Sequence, residues 1–158
     1  MISKFKLKRF LKIFNEYILV ILQFFIIIFH FIKWDLIPSK EIIQANSIFN
    51  ILGFLVILCS SLFMLMAIKE LGSNFSPLPK PIAKGNLITS GTYSFVRHPM
   101  YYSLIFISFG FFIIKLSFYH LFLTISLAFI IKFKIMSEEK YLNNKFKNYY
   151  LYVEKVKI

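Results

Sequence analysis

Acidic side chains are scarce in this chain of 158 residues: seven Asp and Glu stand against nineteen Lys and Arg, a formal net charge of +12. So basic a balance would suit nucleic acid, but the lysines fall between apolar runs and form no stripe with aromatics. That pattern argues for orientation in a membrane and against nucleic-acid binding. Cysteine is nearly absent. The single Cys59 lies inside an apolar run, so an intrachain disulfide is excluded and the redox compartment stays open. No GxSxG elbow, P-loop or strand-borne GxGxxG occurs. His30 and His120 lack Cys, Asp or Glu partners at metal-ligand spacing, so no metal site is expected. Nothing near the start reads as a cleavable signal, because Lys4, Lys6, Lys8, Arg9 and Lys12 precede an apolar run with no small-residue cleavage site. Internal repeats, heptads and low-complexity tracts are missing as well.

What is present is apolar. A hydrophobic content of 58%, an aromatic content of 20% and a mean hydropathy of +0.71 exceed what a soluble surface tolerates and mark an integral membrane protein. A bilayer core takes about 20 apolar residues per helix. The first candidate span runs from about Tyr17 to Phe31, mildly interrupted by Gln23 and His30, and closes at Lys33, Trp34, Asp35 and Pro38, with Trp34 suited to an interfacial belt. The second, from about Ile48 to Ile68, carries no charge. Between Met100 and Ile131 only Lys115 breaks the apolar pattern. One helix of that length would measure about 48 Å, well past a hydrocarbon core of roughly 30 Å. The run is therefore expected to reverse at Lys115 to Ser117, giving arms of about Pro99 to Ile114 and Phe118 to Met136.

Sixteen basic residues then lie on one side of the membrane and three on the other, so the positive-inside rule predicts four helices with both termini in the cytoplasm. The expected fold is an all-α integral membrane protein, one domain over 1–158, with about four transmembrane helices. The last two form a helical hairpin, and a C-terminal cytoplasmic helical segment follows. The loop GSNFSPLPKPIAKGNLITSGTYSF, stiffened by proline, is expected to pack over the cytoplasmic mouth of the bundle.

The hairpin brings two polar clusters to one membrane face. Pro99 suits the first position of a helix, which sets Arg97 and His98 at a helix N-terminus where unpaired N–H groups favour anions. Arginine is informative because Arg9 and Arg97 are the only two among nineteen basic residues, and guanidinium grips a carboxylate in a bidentate way. Taken alone, Arg97 and His98 also fit interfacial anchors, with Tyr101 and Tyr102 in the aromatic belt. Glu138 and Glu139 follow directly on the fourth span in a chain poor in acids, and adjacent carboxylates suit an arginine, ribose hydroxyls or an ammonium. Alone they equally fit a solvated helix face paired to neighbours such as Lys134. Leu142, Phe146, Tyr149 and Tyr150 recur at helical spacing and suggest a surface helix.

In order along the chain, Thr89, Ser90, Gly91, Thr92, Tyr93, Val96, Arg97, His98, Pro99 and Tyr101, then Glu138, Glu139, Leu142, Phe146, Tyr149 and Tyr152, resemble the isoprenylcysteine carboxyl methyltransferase family and its bacterial relatives. These in turn resemble phospholipid N-methyltransferases. The family pattern reads TSGPYxxVRHPxYxG, an apolar hairpin, then EExxLxxxFxxxYxxY, and NFSPLPKP at residues 74–81 resembles the segment preceding it. The resemblance covers roughly the C-terminal half, making 70–158 the methyltransferase-like core and 1–69 a basic flank with two spans. It implies S-adenosyl-L-methionine as methyl donor, bound by Gly91, Tyr93, Arg97, His98, Pro99, Tyr101, Glu138, Glu139 and Leu142. Arg97 and His98 are the candidates for a catalytic role.

It further implies a lipid-like or amphiphilic acceptor entering from the membrane, with carboxyl O-methylation or amine N-methylation, and residence among the lipids of a bacterial inner membrane. Thr92 stands where the family usually has Pro, and the chain ends at Val156, Lys157 and Ile158 without the usual proline-containing tail. The eukaryotic substrate, a prenylated cysteine, is not carried over. Two rivals follow from the same residues. Membrane sterol reductases place an Arg-His near a helix start and bind NADPH, but carry an Arg-Asp-Glu motif where this chain has Ser137, Glu138 and Glu139. A small non-enzymatic membrane subunit would need the charges only for orientation.

Overall fold

The structure is a computed structural model that describes residues 17–32 and 47–157. The basic flank at Lys4 to Lys12 and the boundary at Lys33, Trp34, Asp35 and Pro38 lie outside the described residues. Within them the regular structure is entirely helical: α1 (Tyr17–Phe29), α2 (Ser47–Leu71), α3 (Pro99–Lys115), α4 (Phe118–Lys145) and α5 (Tyr149–Lys155), with short 3-10 turns at Gly72–Asn74 and Gly91–Ser94. Two helices, α2 and α4, are long and apolar enough to cross a membrane, while α1 and α3 are apolar but shorter. On α2 only Gly53 and Ala67 are buried, and Ile48, Ile51, Phe54, Leu62 and Leu65 stand out on its surface. A helix apolar on every face needs an apolar solvent, which lipid provides.

The chain reverses between α3 and α4 in two residues. Leu116 adopts a left-handed conformation, φ 44° and ψ 40°, and its N–H donates to the Phe112 carbonyl at 2.7 Å. Ser117 then caps α4, its hydroxyl accepting from the Tyr119 N–H at 3.3 Å. A left-handed non-glycine residue costs about 1–2 kcal/mol, and burial of both Leu116 and Ser117 holds it in place. From there α3 and α4 run antiparallel. The Ser108 hydroxyl meets the Thr124 hydroxyl at 2.9 Å near the turn, and Tyr101 packs with Leu127 and Ile131 further along.

One expectation fails at the far end. Helix α4 does not stop near Met136 but continues to Lys145, so Glu138 and Glu139 lie within it and do not follow it. The apolar run marks where lipid contact ends, whereas helix formers such as Glu, Lys and Leu carry the hydrogen-bond ladder onward. The surface helix expected after it divides at Phe146, and α5 folds back so that Tyr149, Tyr152 and Val156 pack on Leu87, Leu142 and Phe146.

Close approach of α2 and α3 rests on two facing glycines. A Cβ on Gly53 would sit 2.7 Å from the Gly110 carbonyl oxygen, and one on Gly110 would sit 2.9 Å from that of Gly53 and 2.5 Å from Ile57 Cγ1. Small residues at such crossings let helices pack by contact where lipid removes the hydrophobic drive. Gly110→Val is expected to lose about 1–3 kcal/mol by overpacking. Leu62→Ala, at an exposed position of α2, should shift unfolding far less; thermal unfolding of both variants in detergent checks the contrast.

Candidate functional site

Pro99 opens α3, and the carbonyl of the preceding His98 accepts the N–H groups of Tyr101 and Tyr102 at 3.1 and 3.2 Å. The imidazole makes no capping bond and is left to meet α4. Glu139 Oε1 lies 2.9 Å from Arg97 Nη1 and 3.3 Å from His98 Nε2, while Glu138 Oε2 lies 3.9 Å from His98 Nδ1. The ring is thus flanked by an acid on either side. It also stacks on Tyr101 at 5.8 Å between centroids, and the Tyr101 hydroxyl bonds Glu138. His98 is buried, and Arg97 Nε and the Tyr149 hydroxyl are buried with no hydrogen-bond partner among the described residues. Buried donors without partners are uncommon; His30 Nδ1 and both ring nitrogens of His120 share this state at the other end of the bundle, and of these residues Arg97 is the one that borders a cavity.

A cavity of about 250 Å³ opens beside this cluster. Six of the nine cofactor-binding candidates line it: Tyr93, Arg97, His98, Tyr101, Glu138 and Leu142. Gly91, Pro99 and Glu139 do not line it. Glu139 instead braces Arg97 and His98, Pro99 begins the helix, and Gly91 shapes the turn that carries Tyr93. The proline-containing loop forms one side of the cavity through Pro77, Pro79, Leu87 and their neighbours. From the helices, Phe24, Ile27, Met64 and Ile68 add an apolar wall.

Glu70 and Lys145 drew no attention in the sequence, and other residues that shape the site have partners the sequence did not reveal. Glu70, at the end of α2, accepts the Thr92 N–H at 2.8 Å and the Thr92 hydroxyl at 2.6 Å. Gly91 has φ 61°, and a Cβ there would run into the Glu70 carboxylate. The Tyr152 hydroxyl donates to the Tyr93 carbonyl at 2.6 Å, and Lys145 Nζ donates to the carbonyls of Ile82 and Gly85 at 2.5 and 2.7 Å. Lys134, expected on a solvated face, is buried and donates to Gln23 Oε1 at 2.6 Å. The available signals were the rarity of acids, which singles out Glu70, and the spacing of four that places Lys134 on the Glu138 face.

Burial governs the phenols outside the helical spans. It raises Tyr93 well above the usual tyrosine value, helped by the Glu138 charge, and raises Tyr149 likewise, with the charge of Glu139 adding to it. Tyr152 is pushed up to about 12 by burial despite the opposing pull of Arg97. All three remain hydrogen-bond donors at neutral pH. His30 and His120, for which no metal was expected, lie at the other end of the bundle, where His30 Nε2 meets Ser108 at 2.6 Å. Among the described residues no group of three or more metal-ligating side chains occurs.

A family model described as Phospholipid methyltransferase matches residues 48–149, from the first turn of α2 to the start of α5. No match was found to a curated protein or to a solved structure. The matched stretch contains both polar clusters and the loop between them.

Removing the carboxylate that fastens the turn tests its anchoring. Glu70→Ala leaves the Thr92 N–H and hydroxyl without their acceptor and is expected to lower stability by about 1–3 kcal/mol. It should also raise protease sensitivity within residues 86–95, read by limited proteolysis in detergent.

Proposed function

This chain belongs to the phospholipid methyltransferase family, and from that premise we infer that the cavity between the Arg97–His98 corner and Glu138 is where its methyl transfer takes place. The protein is an S-adenosylmethionine-dependent methyltransferase, associated with the membrane and acting on a lipid-like acceptor. The finer assignments are proposals: four transmembrane spans, both termini on the cytoplasmic side of a bacterial inner membrane, and a cofactor pocket resembling that of the isoprenylcysteine carboxyl methyltransferases.

The observation that carries the pocket assignment is the unpartnered Arg97 Nε, buried beside a cavity that also holds a carboxylate and an apolar wall. The donor set fits the cofactor group by group. Arg97 offers a guanidinium for its carboxylate, Glu138 offers an acceptor for its ammonium or ribose hydroxyls, and Leu87, Leu142, Phe146 and Tyr152 offer a wall for adenine. When bound, the cofactor supplies an electrophilic methyl group on a sulfonium that is already a good leaving group.

The chain's own residues then orient, shield and hold protons. Glu139 keeps Arg97 and His98 fixed from behind, so both present the same atoms to the cavity. The loop covers one side of the cavity through Pro77, Pro79 and Leu87, which helps shield the transferred methyl group from water. A carboxylate acceptor needs no base at neutral pH, whereas an amine must first lose a proton. Glu138, which lines the cavity and is held by Tyr101, is suited to accept that proton on a carboxylate oxygen. This supports amine N-methylation over carboxyl O-methylation. The apolar side, through Phe24, Ile27, Met64 and Ile68, suits an acceptor that arrives laterally from lipid.

His98→Ala and Glu138→Ala are expected to weaken S-adenosylmethionine binding at least about tenfold, since Glu138 supplies a charged contact and His98 lines the cavity and braces the Glu139 carboxylate that holds Arg97. Insertion into membranes should be unaffected. Titration calorimetry on the purified protein in detergent reads the first and membrane fractionation the second. Wild-type affinity in both variants would move the cofactor elsewhere. Incubating the protein with labelled methyl donor and a total lipid extract identifies the acceptor.

A further inference from the structure

Among the described residues Lys134 is the one buried lysine, 2% exposed, on α4 one turn before Glu138. Its Nζ donates to Gln23 Oε1 at 2.6 Å and to the Pro77 carbonyl at 3.3 Å, and lies 4.9 Å from the centre of the Tyr101 ring. An ammonium has three donors, and these partners are neutral. Among the described residues no salt bridge to Nζ occurs, and the one carboxylate whose charge reaches it, Glu138 one turn on, is shared with His98 and Tyr101. A cation so enclosed, in a helix apolar enough to cross a bilayer, is costly unless an anion joins it. There is room for one. Lys134 and Gln23 line the same cavity as His98 and Glu138, and beyond them the wall becomes apolar.

We propose that Lys134, steadied by Gln23, binds an anionic group of the methyl acceptor, so that the enzyme selects amphiphiles carrying a negative charge close to the methyl-accepting atom. The proposal rests on the cavity being the methyl-transfer site. Residues four apart on a helix are separated by about 6 Å along its axis, so a short linker joins the anion at Lys134 to an accepting atom near Glu138. The acyl or alkyl chain leaves past Phe24, Ile27, Met64 and Ile68. Phosphate and carboxylate share the required chemistry, a charge-assisted hydrogen bond from an ammonium.

Single-chain probes on the full-length protein in uncharged detergent test this: dodecyl phosphate, dodecanoate and dodecanol, titrated calorimetrically into wild type, K134Q and K134R. The wild type is expected to bind the two anions at least about tenfold more tightly than dodecanol. K134Q, which keeps a neutral donor for Gln23 and Pro77, should lose that preference, and K134R should retain most of it. The stronger of the two anionic probes identifies the acceptor's charged group as phosphate or carboxylate. Equal affinity of the wild type for all three probes overturns the proposal without recourse to a variant. So does a K134Q protein that keeps the preference. Cofactor titration of the same proteins separates this result from the pocket assignment. Loss of anion preference in K134Q at unchanged S-adenosylmethionine affinity supports the proposal even where His98→Ala binds cofactor normally, an outcome that counts against the cofactor pocket alone.

Discussion

The Arg97 guanidinium and the Glu139 carboxylate meet at 2.9 Å across the open ends of α3 and α4, and they do so because the backbone reverses at Leu116 and Ser117 at the opposite end of the hairpin. The register of that reversal is demanding. Each residue of an α-helix turns about 100°, so a slip of one position in the connection would swing Glu138 and Lys134 away from the cavity together. The left-handed Leu116 resists such a slip through its bond to Phe112, its burial and the capping hydroxyl of Ser117. Further along, the Ser108–Thr124 hydroxyl pair fixes the same register inside the bundle, where an unmet hydroxyl would be costly. The corner of the site is thus set by contacts distant from it.

The polar groups of the bundle are gathered at its two ends. At one, His30, Ser108, Thr124 and Tyr119 tie α1, α3 and α4 together, with the Tyr119 hydroxyl donating to the Phe29 carbonyl at 2.9 Å. At the other stand Arg97, His98, Glu138 and Glu139, with Lys134 one turn further in. The hydroxyls of the first end satisfy one another and act as glue. At the second end Arg97, His98, Glu138 and Lys134 line a cavity, and Arg97 Nε has no partner among the described residues. His30 Nδ1 and both ring nitrogens of His120 lack partners at the first end too, so it is the cavity, with Arg97 and Glu138 in its wall, that marks the second end as the candidate site.

Much of this was legible in the residues. The excess length of the apolar run from Met100 to Ile131 demanded a reversal, and Pro99 announced the start of α3. The juxtaposition of Arg97 and His98 with the two acids followed from those two facts. What could not be read was which acid faces inward, since Glu138 and Glu139 are adjacent and only the rotation of α4 puts the first in the cavity and the second behind Arg97. The end of α4 was misjudged because hydropathy reports lipid contact, not the persistence of a helix. Lys134 looked solvated for a related reason: a lysine near the end of an apolar run ordinarily snorkels to water, and its burial depends on Gln23 of α1, a tertiary partner no local pattern reveals.

The loop over the cavity shows why a departure from the family pattern is tolerated at position 92. Proline there would stiffen the turn but could donate nothing. Thr92 instead gives both an N–H and a hydroxyl to Glu70, replacing covalent rigidity with a charge-assisted clamp onto α2. Lys145 fastens the same loop to α4 through two carbonyls, and Tyr152 fastens its far end to α5. Three helices therefore hold one loop through polar bonds, and Leu87 adds an apolar contact to α5. Lipid cannot substitute for any of these bonds, so the cavity should close only after α2, α4 and α5 have come together, and an acceptor or cofactor bound beneath the loop would draw on the same contacts that complete the fold.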